Sequence, residues 1–270
     1  MIRILFALFL ACSAARAADF EDLLKQSGEA MQAGRTNEAL KLATKAIDAQ
    51  PTNAQAWFLR GRLHAHMQNH TNAITDLDRA AKLDPRPIIF QHRGTEHFRA
   101  GNFDKSVADF DKFIQLAPTQ AAHHWQRGIS LYYAGKFEEG AKQFESHKTV
   151  NPNDVENAVW HFLCVTRASG LEKAKASLMP IEGDTRVPMK EIHALFAGKA
   201  KVDDVLAAEK ESKGEEGLFY AHLYLGLYYE AIGNRDKTRE HIFKAARDFK
   251  APHYMGDVAR VHARVLEQQK

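Results

Sequence analysis

Histidines and acidic residues are the side chains of this sequence with the greatest capacity for chemistry. The chain has 270 residues and 14 histidines, of which His64, His66 and His70 form the densest group. On a helix, residues two apart point about 200° away from each other, so His64 and His66 cannot share a metal ion. His66 and His70 would lie one turn apart, but His70 falls where a turn between helices is expected. Because no spacing satisfies metal coordination, we predict no metal site and no cofactor.

A second group, from His92 to His97, is similar to the inverted metalloprotease motif H-x-x-E-H. The gap between His92 and Glu96 is one residue too long for that motif. The sequence also lacks H-E-x-x-H, G-x-S-x-G, C-x-x-C and the phosphate-binding motif G-x4-G-K-[ST]. We therefore predict that the protein is not an enzyme. An enzyme or metal protein with an unrecognised site is the alternative.

Regularly spaced prolines indicate which elements position these side chains. Pro51, Pro85, Pro118 and Pro152 lie 34, 33 and 34 residues apart. Aligned on these prolines, the units have small residues at the eighth position and mostly glycine at the fifteenth: Ser27, Gly61, Gly94 and Gly128, then Gly34, Gln68, Gly101 and Gly135. Spacing and residue type recur together in four consecutive units, as in a helical repeat.

This pattern resembles the tetratricopeptide repeat, a pair of helices in about 34 residues. A small eighth residue lets the two helices approach closely, and glycine at position fifteen permits the positive φ that ends the first helix. Proline ends the second helix. A single pair cannot bury its apolar face, so pairs must stack. We predict an all-α fold, a right-handed α-solenoid of about five to six antiparallel helix pairs with a C-terminal capping helix.

The repeat signature weakens after Pro152, which divides the predicted organisation into four segments. Residues 1–17 are predicted to be a signal peptide, and residues 18–153 an array of four repeats. Residues 154–214 are predicted to be a degenerate helix pair followed by an irregular helical connector. A clear pair returns in residues 215–270, with Gly226 at position eight and Gly233 at position fifteen, and the capping helix follows it.

The first residues have the three parts of an export signal. Arg3 supplies a basic start, residues 4–12 are apolar but too short for a stable transmembrane helix, and Ala15-Arg16-Ala17 supplies small residues before a cleavage site. We predict cleavage after Ala17 and export to the periplasm. Lipidation of Cys12, with association at the outer membrane, is the alternative. Cleavage after Ala17 would leave Cys164 as the one cysteine of the mature chain, and we expect it to be buried.

The repeat register separates packing residues from a candidate binding surface. Positions 4, 7, 8 and 11 of each first helix are predicted to pack inward, whereas positions 2, 5, 9, 12 and 13 line the concave side of stacked pairs. We call the following residues at these positions the groove strip: Phe58, Arg62, His66, Gln91, Thr95, Phe98, Arg99, Trp125, Ile129, Tyr132 and Tyr133. Aromatic anchors beside arginines are typical of interfaces, so we predict that the strip binds a peptide or protein. Packing of Trp125 and Tyr133 against neighbouring helices or a dimer partner is the alternative.

Parts of the sequence also resemble the new lipoprotein I family, helical lipoproteins of the bacterial cell envelope. The matching segments are R-G-I-x-L-Y-Y-x-G at 127–135, P-N-D-x5-W at 152–160 and Y-L-G-x-Y-Y-x3-G at 224–233. The order of parts agrees as well, since repeats, an irregular middle, a returning pair and a terminal helix follow one another. The resemblance implies a homodimeric, lipid-anchored scaffold that brings murein hydrolases, murein synthases or a processing protease together.

These features predict an exported scaffold or adaptor that binds other proteins in the periplasm or at the inner face of the outer membrane. Its predicted partners are cell-wall enzymes or a protease. A self-associating structural component of an envelope complex is the alternative. The net charge of +3 provides no concentrated basic face, so nucleic acid is not a predicted partner.

Overall fold

The computed structural model describes residues 19–211 and 214–269, apart from the side chains of Glu209 and Glu211. All regular secondary structure in these residues is helical. The predicted all-α fold is therefore confirmed. The predicted signal peptide, its cleavage site after Ala17 and the candidate lipidation site Cys12 lie outside the described residues. Across the described ranges, no helix combines the length and the apolar character needed to cross a membrane.

The chain divides after Ala100 into two compact units. The described helices of the first unit are α1 (19–32), α2 (Thr36–Ala49), α3 (Ala54–His66), α4 (His70–Leu83) and α5 (Pro87–Arg99). From α2 to α5, each helix packs against the next one. Ala39, Ala43 and Leu63 are fully buried in one core cluster, because small side chains let the helices approach closely. The predicted stacking of helix pairs is thus confirmed in this unit.

The second unit contains the remaining helices. They are α6 (Phe103–Leu116), a single 3-10 turn (Pro118–Gln120), α7 (Trp125–Tyr133), α8 (Phe137–Lys148), α9 (Val155–Ser169), α10 (Leu171–Ala176), α11 (Met189–Phe196), α12 (Val202–Glu211), α13 (Glu215–Ala231), α14 (Arg235–Arg247) and α15 (Tyr254–Gln268). Helices α6 to α9 pack in order, α9 also contacts α10, α11 and α13, and α13 to α15 pack in order. The predicted domain boundaries after residues 153 and 214 fall inside this unit, where α8 packs against α9 and α12 against α13.

Position fifteen of the repeat has a left-handed backbone conformation. Gly135 has φ of 74°, and Gln68, the non-glycine residue at this position, has φ of 57°. The N–H of Gly135 donates to the carbonyl of Tyr132 at 3.1 Å, and the N–H of Lys136 donates to the carbonyl of Leu131 at 2.9 Å. These bonds satisfy the last carbonyls of α7. The predicted role of this position in ending the first helix is confirmed.

The eighth position brings the two helices of a pair into direct contact. A methyl group built on Gly128 of α7 would lie 2.6 Å from Cζ of Phe144 on α8, whose side chain is buried. By contrast, a methyl group on Gly28 of α1, which follows the eighth-position residue Ser27, would meet no atom within 4 Å. The repeat therefore requires a small residue at position 128 but has room for a larger one at position 28.

Replacing these two glycines is expected to change stability in opposite directions. Gly128→Ala should lower the free energy of unfolding by about 2 kcal/mol, because overpacking a core costs about 1–3 kcal/mol. Gly28→Ala should raise it by about 0.5–1 kcal/mol, because alanine favours a helix interior over glycine. Urea unfolding at neutral pH measures both changes. A Gly128→Ala protein as stable as the wild type would show that α7 and α8 are not closely packed.

Cys164 lies fully buried on α9, as predicted. Burial raises the pKa of its thiol, which disfavours the reactive thiolate. A methyl group on Gly140 of α8 would lie 2.8 Å from the Cys164 sulfur. The small residue at this repeat position therefore makes room for the thiol, whose role is packing.

Candidate protein-binding site

Two of the four groove-strip residues on α7, Trp125 and Tyr133, contact the C-terminal helix α15. The Tyr133 hydroxyl and Nδ1 of His262 are 2.8 Å apart, and the rings of Trp125 and Tyr254 meet edge to face at 5.1 Å. Ile129 is 1% exposed and Tyr132 is 4% exposed. The expectation that Ile129 and Tyr132 are accessible is therefore wrong. Trp125 and Tyr133 contact α15, which agrees with the alternative of packing against neighbouring helices, but both remain half-buried, so a binding role for them stays a prediction.

A buried polar group explains why α15 stays on this face. Nε2 of His262 lies 3.7 Å from a carboxylate oxygen of Glu230 on α13, and Arg167 of α9 lies 3.7 Å from the other oxygen. Burial lowers the pKa of His262, so the imidazole is neutral at pH 7. If Nε2–H faces Glu230, Nδ1 accepts a hydrogen bond from the Tyr133 hydroxyl. The contact between α7 and α15 is thus specific as well as apolar.

The groove-strip residues of the first unit have a different environment. Arg62 and His66 are exposed on α3, and the Arg62 guanidinium lies 5.8 Å from the centre of the Phe58 ring. The Phe58 ring meets His92 of α5 edge to face at 5.3 Å. His92 was not among the predicted groove-strip residues, because it does not occupy one of the predicted groove positions of the repeat. Burial and the nearby Arg62 lower the pKa of His92 to about 4, so its imidazole is neutral at pH 7.

Four further groove-strip residues lie on α5. Gln91 and Thr95 are half-buried, and the Thr95 hydroxyl donates to the carbonyl of Gln91 at 3.0 Å. Arg99 is also half-buried and donates to Glu96 at 2.5 Å. Phe98 is fully buried, so the expectation that it is accessible is wrong. We call Phe58, Arg62, His66, Gln91, Thr95 and Arg99 the first-unit strip, and its binding of a partner stays a prediction.

Glu96, the acidic residue of the motif-like segment 92–97, holds two helices together. Its buried carboxylate accepts hydrogen bonds from Nδ1 of His70 at 2.7 Å and from Arg99 at 2.5 Å. These hydrogen bonds and the positive charge of Arg99 compensate for burying a carboxylate that would be costly to bury alone. Within residues 19–211 and 214–269, no group of three or more histidine, cysteine or acidic side chains is placed to hold a metal ion.

A cavity of about 300 Å³ lies in the second unit beside the covered part of the groove strip. Its lining residues come from α7, α8, the start of α9, α13 and the start of α15. They are Trp125, Ile129, Phe144, His147, Asp154, Glu156, Asn157, Trp160, Tyr220, His253, Tyr254 and Met255. Trp125 and Ile129 were predicted to belong to a binding surface, but the other ten lining residues were not, because repeat periodicity does not show which helices meet.

The acidic side of this cavity is organised by Arg186, which lies in the predicted connector. Its guanidinium donates to Asp154 at 2.9 Å, to Glu156 at 2.5 Å and to Asp184 at 2.6 Å. Glu156 also accepts a hydrogen bond from the Tyr224 hydroxyl at 2.6 Å. Burial raises the pKa of Glu156, while Arg186 and Tyr224 oppose that shift. The connector therefore places one cation among three carboxylates.

Comparison with known proteins agrees with the fold and the repeat register. The tetratricopeptide repeat family model matches residues 24–86 and 93–154. A tetratricopeptide repeat protein from Parabacteroides merdae is 13% identical with a TM-score of 0.61, over 93% of this chain and 99% of that chain. The protein YrrB, whose structure shows an unusual peptide-binding site, is 15% identical with a TM-score of 0.55, over 70% of this chain and 90% of YrrB. MamA from Desulfovibrio magneticus is 14% identical with a TM-score of 0.55, over 73% of this chain and 98% of that chain.

The matched segments, residues 24–86 and 93–154, contain tetratricopeptide repeats, and the described helices have the fold of this class. This fold implies a scaffold for protein–protein interaction, and such scaffolds are typically not enzymes. At these identities the solved structures show the fold alone. Membership of the new lipoprotein I family stays a prediction.

Proposed function

We propose that this protein is an exported adaptor that binds an extended segment of another envelope protein along the first-unit strip. The observation that carries this proposal is the contact of the exposed Arg62 guanidinium with the half-buried Phe58 ring, which in turn meets His92. Ile88 on α5 is 45% exposed, which adds an apolar contact at another predicted groove position. Arginine and aromatic side chains are the residues that most often dominate binding energy at interfaces.

Export and the class of partner come from the sequence. The basic start, apolar run and Ala15-Arg16-Ala17 support secretion to the periplasm. The resemblance to the new lipoprotein I family supports cell-wall hydrolases, synthases or a processing protease as the partners, and a homodimer as the assembled form. The adaptor would bring such enzymes together without performing chemistry itself.

Site-specific photocrosslinking tests this proposal. A photoreactive amino acid at position 88 is expected to capture the same envelope proteins reproducibly in cells of the source bacterium. The matched control carries the same group at Thr75, an exposed residue on α4 of the same unit. Adding Arg62→Ala to the position-88 probe should reduce the adduct about five- to tenfold, since losing an interface anchor costs about 1–1.4 kcal/mol.

Two outcomes would contradict the proposal. Equal capture of the same proteins from positions 88 and 75 would show that the first-unit strip is not the binding face. An adduct that persists unchanged with Arg62→Ala would remove the arginine–aromatic contact from recognition. Circular dichroism of each variant verifies that the helices are intact.

A further inference from the structure

We propose that the cavity in the second unit binds the guanidinium or ammonium group of a basic side chain within a partner polypeptide. This inference rests on the proposed function, because it names the chemistry of a segment that the adaptor would recognise. The cavity volume of about 300 Å³ is at the lower end of the range for ligand sites, which suits one side chain with part of its backbone.

The cavity walls are aromatic. Trp125, Trp160, Tyr220 and Tyr254 contribute rings from four different helices. The face of an aromatic ring attracts a cation through its quadrupole, most strongly for tryptophan, and the attraction grows when the cation is desolvated. Trp125 and Tyr254 are half-buried, so this part of the cavity wall is accessible from solvent.

Charge favours a cation over an anion. Asp154 and Glu156 line the cavity, and the described lining residues include no lysine or arginine. Behind them, Arg186 forms ion pairs with Asp154, Glu156 and Asp184. Because one guanidinium balances one of these three carboxylates, two negative charges are in excess. The side chains of Asp154 and Glu156 are 19% and 15% exposed, and such partial burial strengthens their attraction for an entering cation.

Two buried polar atoms of the lining residues have no hydrogen-bond partner within the described part of the chain. The Asn157 side-chain amide donates through Nδ2 to the carbonyl of Phe144 at 3.1 Å, which sets the orientation of the amide. Its Oδ1 and the Nε1–H of Trp160 are both unpaired. Oδ1 can accept a hydrogen bond from a guanidinium or ammonium, and Nε1–H can donate to a carbonyl. A cation with a nearby carbonyl is what a basic residue in a peptide presents, whereas a free ammonium ion has no carbonyl.

Tryptophan fluorescence of the full-length protein tests this site without any partner. The chain has three tryptophans, so Trp57→Phe leaves only Trp125 and Trp160, which both line the cavity. N-acetyl-arginine methylamide is expected to change the emission saturably. Its expected Kd is about 0.1–1 mM, because ligands of this kind typically gain about 0.3 kcal/mol of binding free energy per non-hydrogen atom. The neutral analogue N-acetyl-citrulline methylamide should give no saturable change, and methylguanidinium should bind at least about tenfold more weakly.

Two variants separate a cation site from general surface charge. Asp154→Asn keeps a side chain that can cap α9, and it should weaken binding of the arginine derivative about tenfold, equivalent to about 1.4 kcal/mol. Glu267→Gln removes one charge from an exposed pair with Arg247 and should leave Kd unchanged. Trp125→Leu keeps apolar volume but removes the ring, and it should also weaken binding, read from Trp160 alone.

The result that overturns the inference is equal binding of the arginine and citrulline derivatives, or binding that Asp154→Asn and Trp125→Leu both leave unchanged. If methylguanidinium binds as well as the arginine derivative, the site does not recognise a peptide residue. Failure here together with successful photocrosslinking at position 88 rejects the cavity and keeps the proposed function. If instead the cavity binds the arginine derivative as predicted but position 88 captures no more than position 75, the first-unit strip is rejected as the partner site and the cavity is kept.

Discussion

Acidification from pH 7.5 to pH 5 is expected to lower the free energy of unfolding by roughly 4–6 kcal/mol. Burial, with help from nearby cations, lowers the pKa of His92, His124 and His222 to about 4 in the folded chain, against about 6.5 in the unfolded chain. Between these pH values the unfolded state binds more protons, so stability falls with falling pH. Each histidine contributes about 2 kcal/mol of this loss at pH 5.

The geometry around these histidines shows why protonation is disfavoured. His124 lies between Phe110 and Phe113, with ring centres 4.6 and 4.9 Å away, and its Nδ1 accepts a hydrogen bond from the N–H of Arg127 at 3.3 Å. A proton on Nδ1 would end this cap of α7 and place a charge between two apolar rings. His222 and His241 meet through their Nδ1 atoms at 2.9 Å, a contact that requires one of the two atoms to be unprotonated.

Two acidic groups near the cavity also have shifted pKa values, in opposite directions. Burial raises the pKa of Glu156 above its ordinary value, so this group opposes the loss as pH falls towards its own range. Hydrogen bonds from Arg186 and from the N–H of Val155 lower the pKa of Asp184 although burial opposes them. The stability that Asp184 contributes is lost only below its ordinary range. The three histidines are the source of the predicted loss between pH 7.5 and pH 5.

Urea unfolding at pH 7.5, 6 and 5 measures the predicted loss. His124→Asn keeps an N-cap acceptor without a titrating group, so it should reduce the difference between pH 7.5 and pH 5 by about 2 kcal/mol. His123→Asn changes the exposed neighbouring residue and should leave the pH dependence as in the wild type. Stability that is constant across this pH range would contradict the burial of the three neutral histidines.

Arg186→Met is expected to lower the free energy of unfolding at pH 7.5 by about 2–3 kcal/mol. Removing one partner of a buried ion pair typically costs about 3–5 kcal/mol, and we reduce this value because the Arg186 side chain is 43% exposed. The loss arises because Asp184, at 5% exposed, and Glu156, at 15%, would remain as carboxylates without a counter-charge. Methionine retains most of the apolar stem, which limits the loss of packing.

Chemical denaturation of Arg186→Met beside Arg247→Met tests this prediction. Arg247 pairs with Glu267 at 2.7 Å, but both side chains are exposed, so its replacement should cost at most about 0.5 kcal/mol. The penalty of Arg186→Met should shrink at pH 4, where protonation relieves the repulsion among the carboxylates. Equal small effects of the two substitutions would show that the carboxylates are solvated independently of Arg186.

Local chemistry explains why the helix pairs were predictable. The small residue at Gly128 and the left-handed residue at Gly135 act within one pair of helices, through a contact to Phe144 and through helix-terminal hydrogen bonds. Such constraints recur with the repeat and so can be recognised from spacing alone. The inward stripe of α7 was predicted for the same reason, since Gly128, Leu131 and His124 are buried.

The partners of the outward face could not be predicted from the same periodicity. Tyr133 and His262 are separated by 129 positions in the chain, and the irregular connector between them has no repeat register. An aromatic residue on an apolar stripe has the same spacing whether it meets a ligand, a dimer partner or its own C-terminal helix. Whether Ile129, Tyr132 and Phe98 are accessible or buried therefore depended on tertiary packing, which spacing does not show.

The sequence by itself determined the all-α fold, the stacking of helix pairs and the burial of Cys164, because each follows from residue size and backbone preference within one or two neighbouring helices. Only the tertiary structure decided that Trp125 and Tyr133 of α7 contact α15. It alone also brought Asp154, Trp160, Tyr220 and Tyr254 around one cavity, with Arg186 behind it. These contacts join segments far apart in the chain, and their free energy depends on which surfaces meet rather than on local spacing.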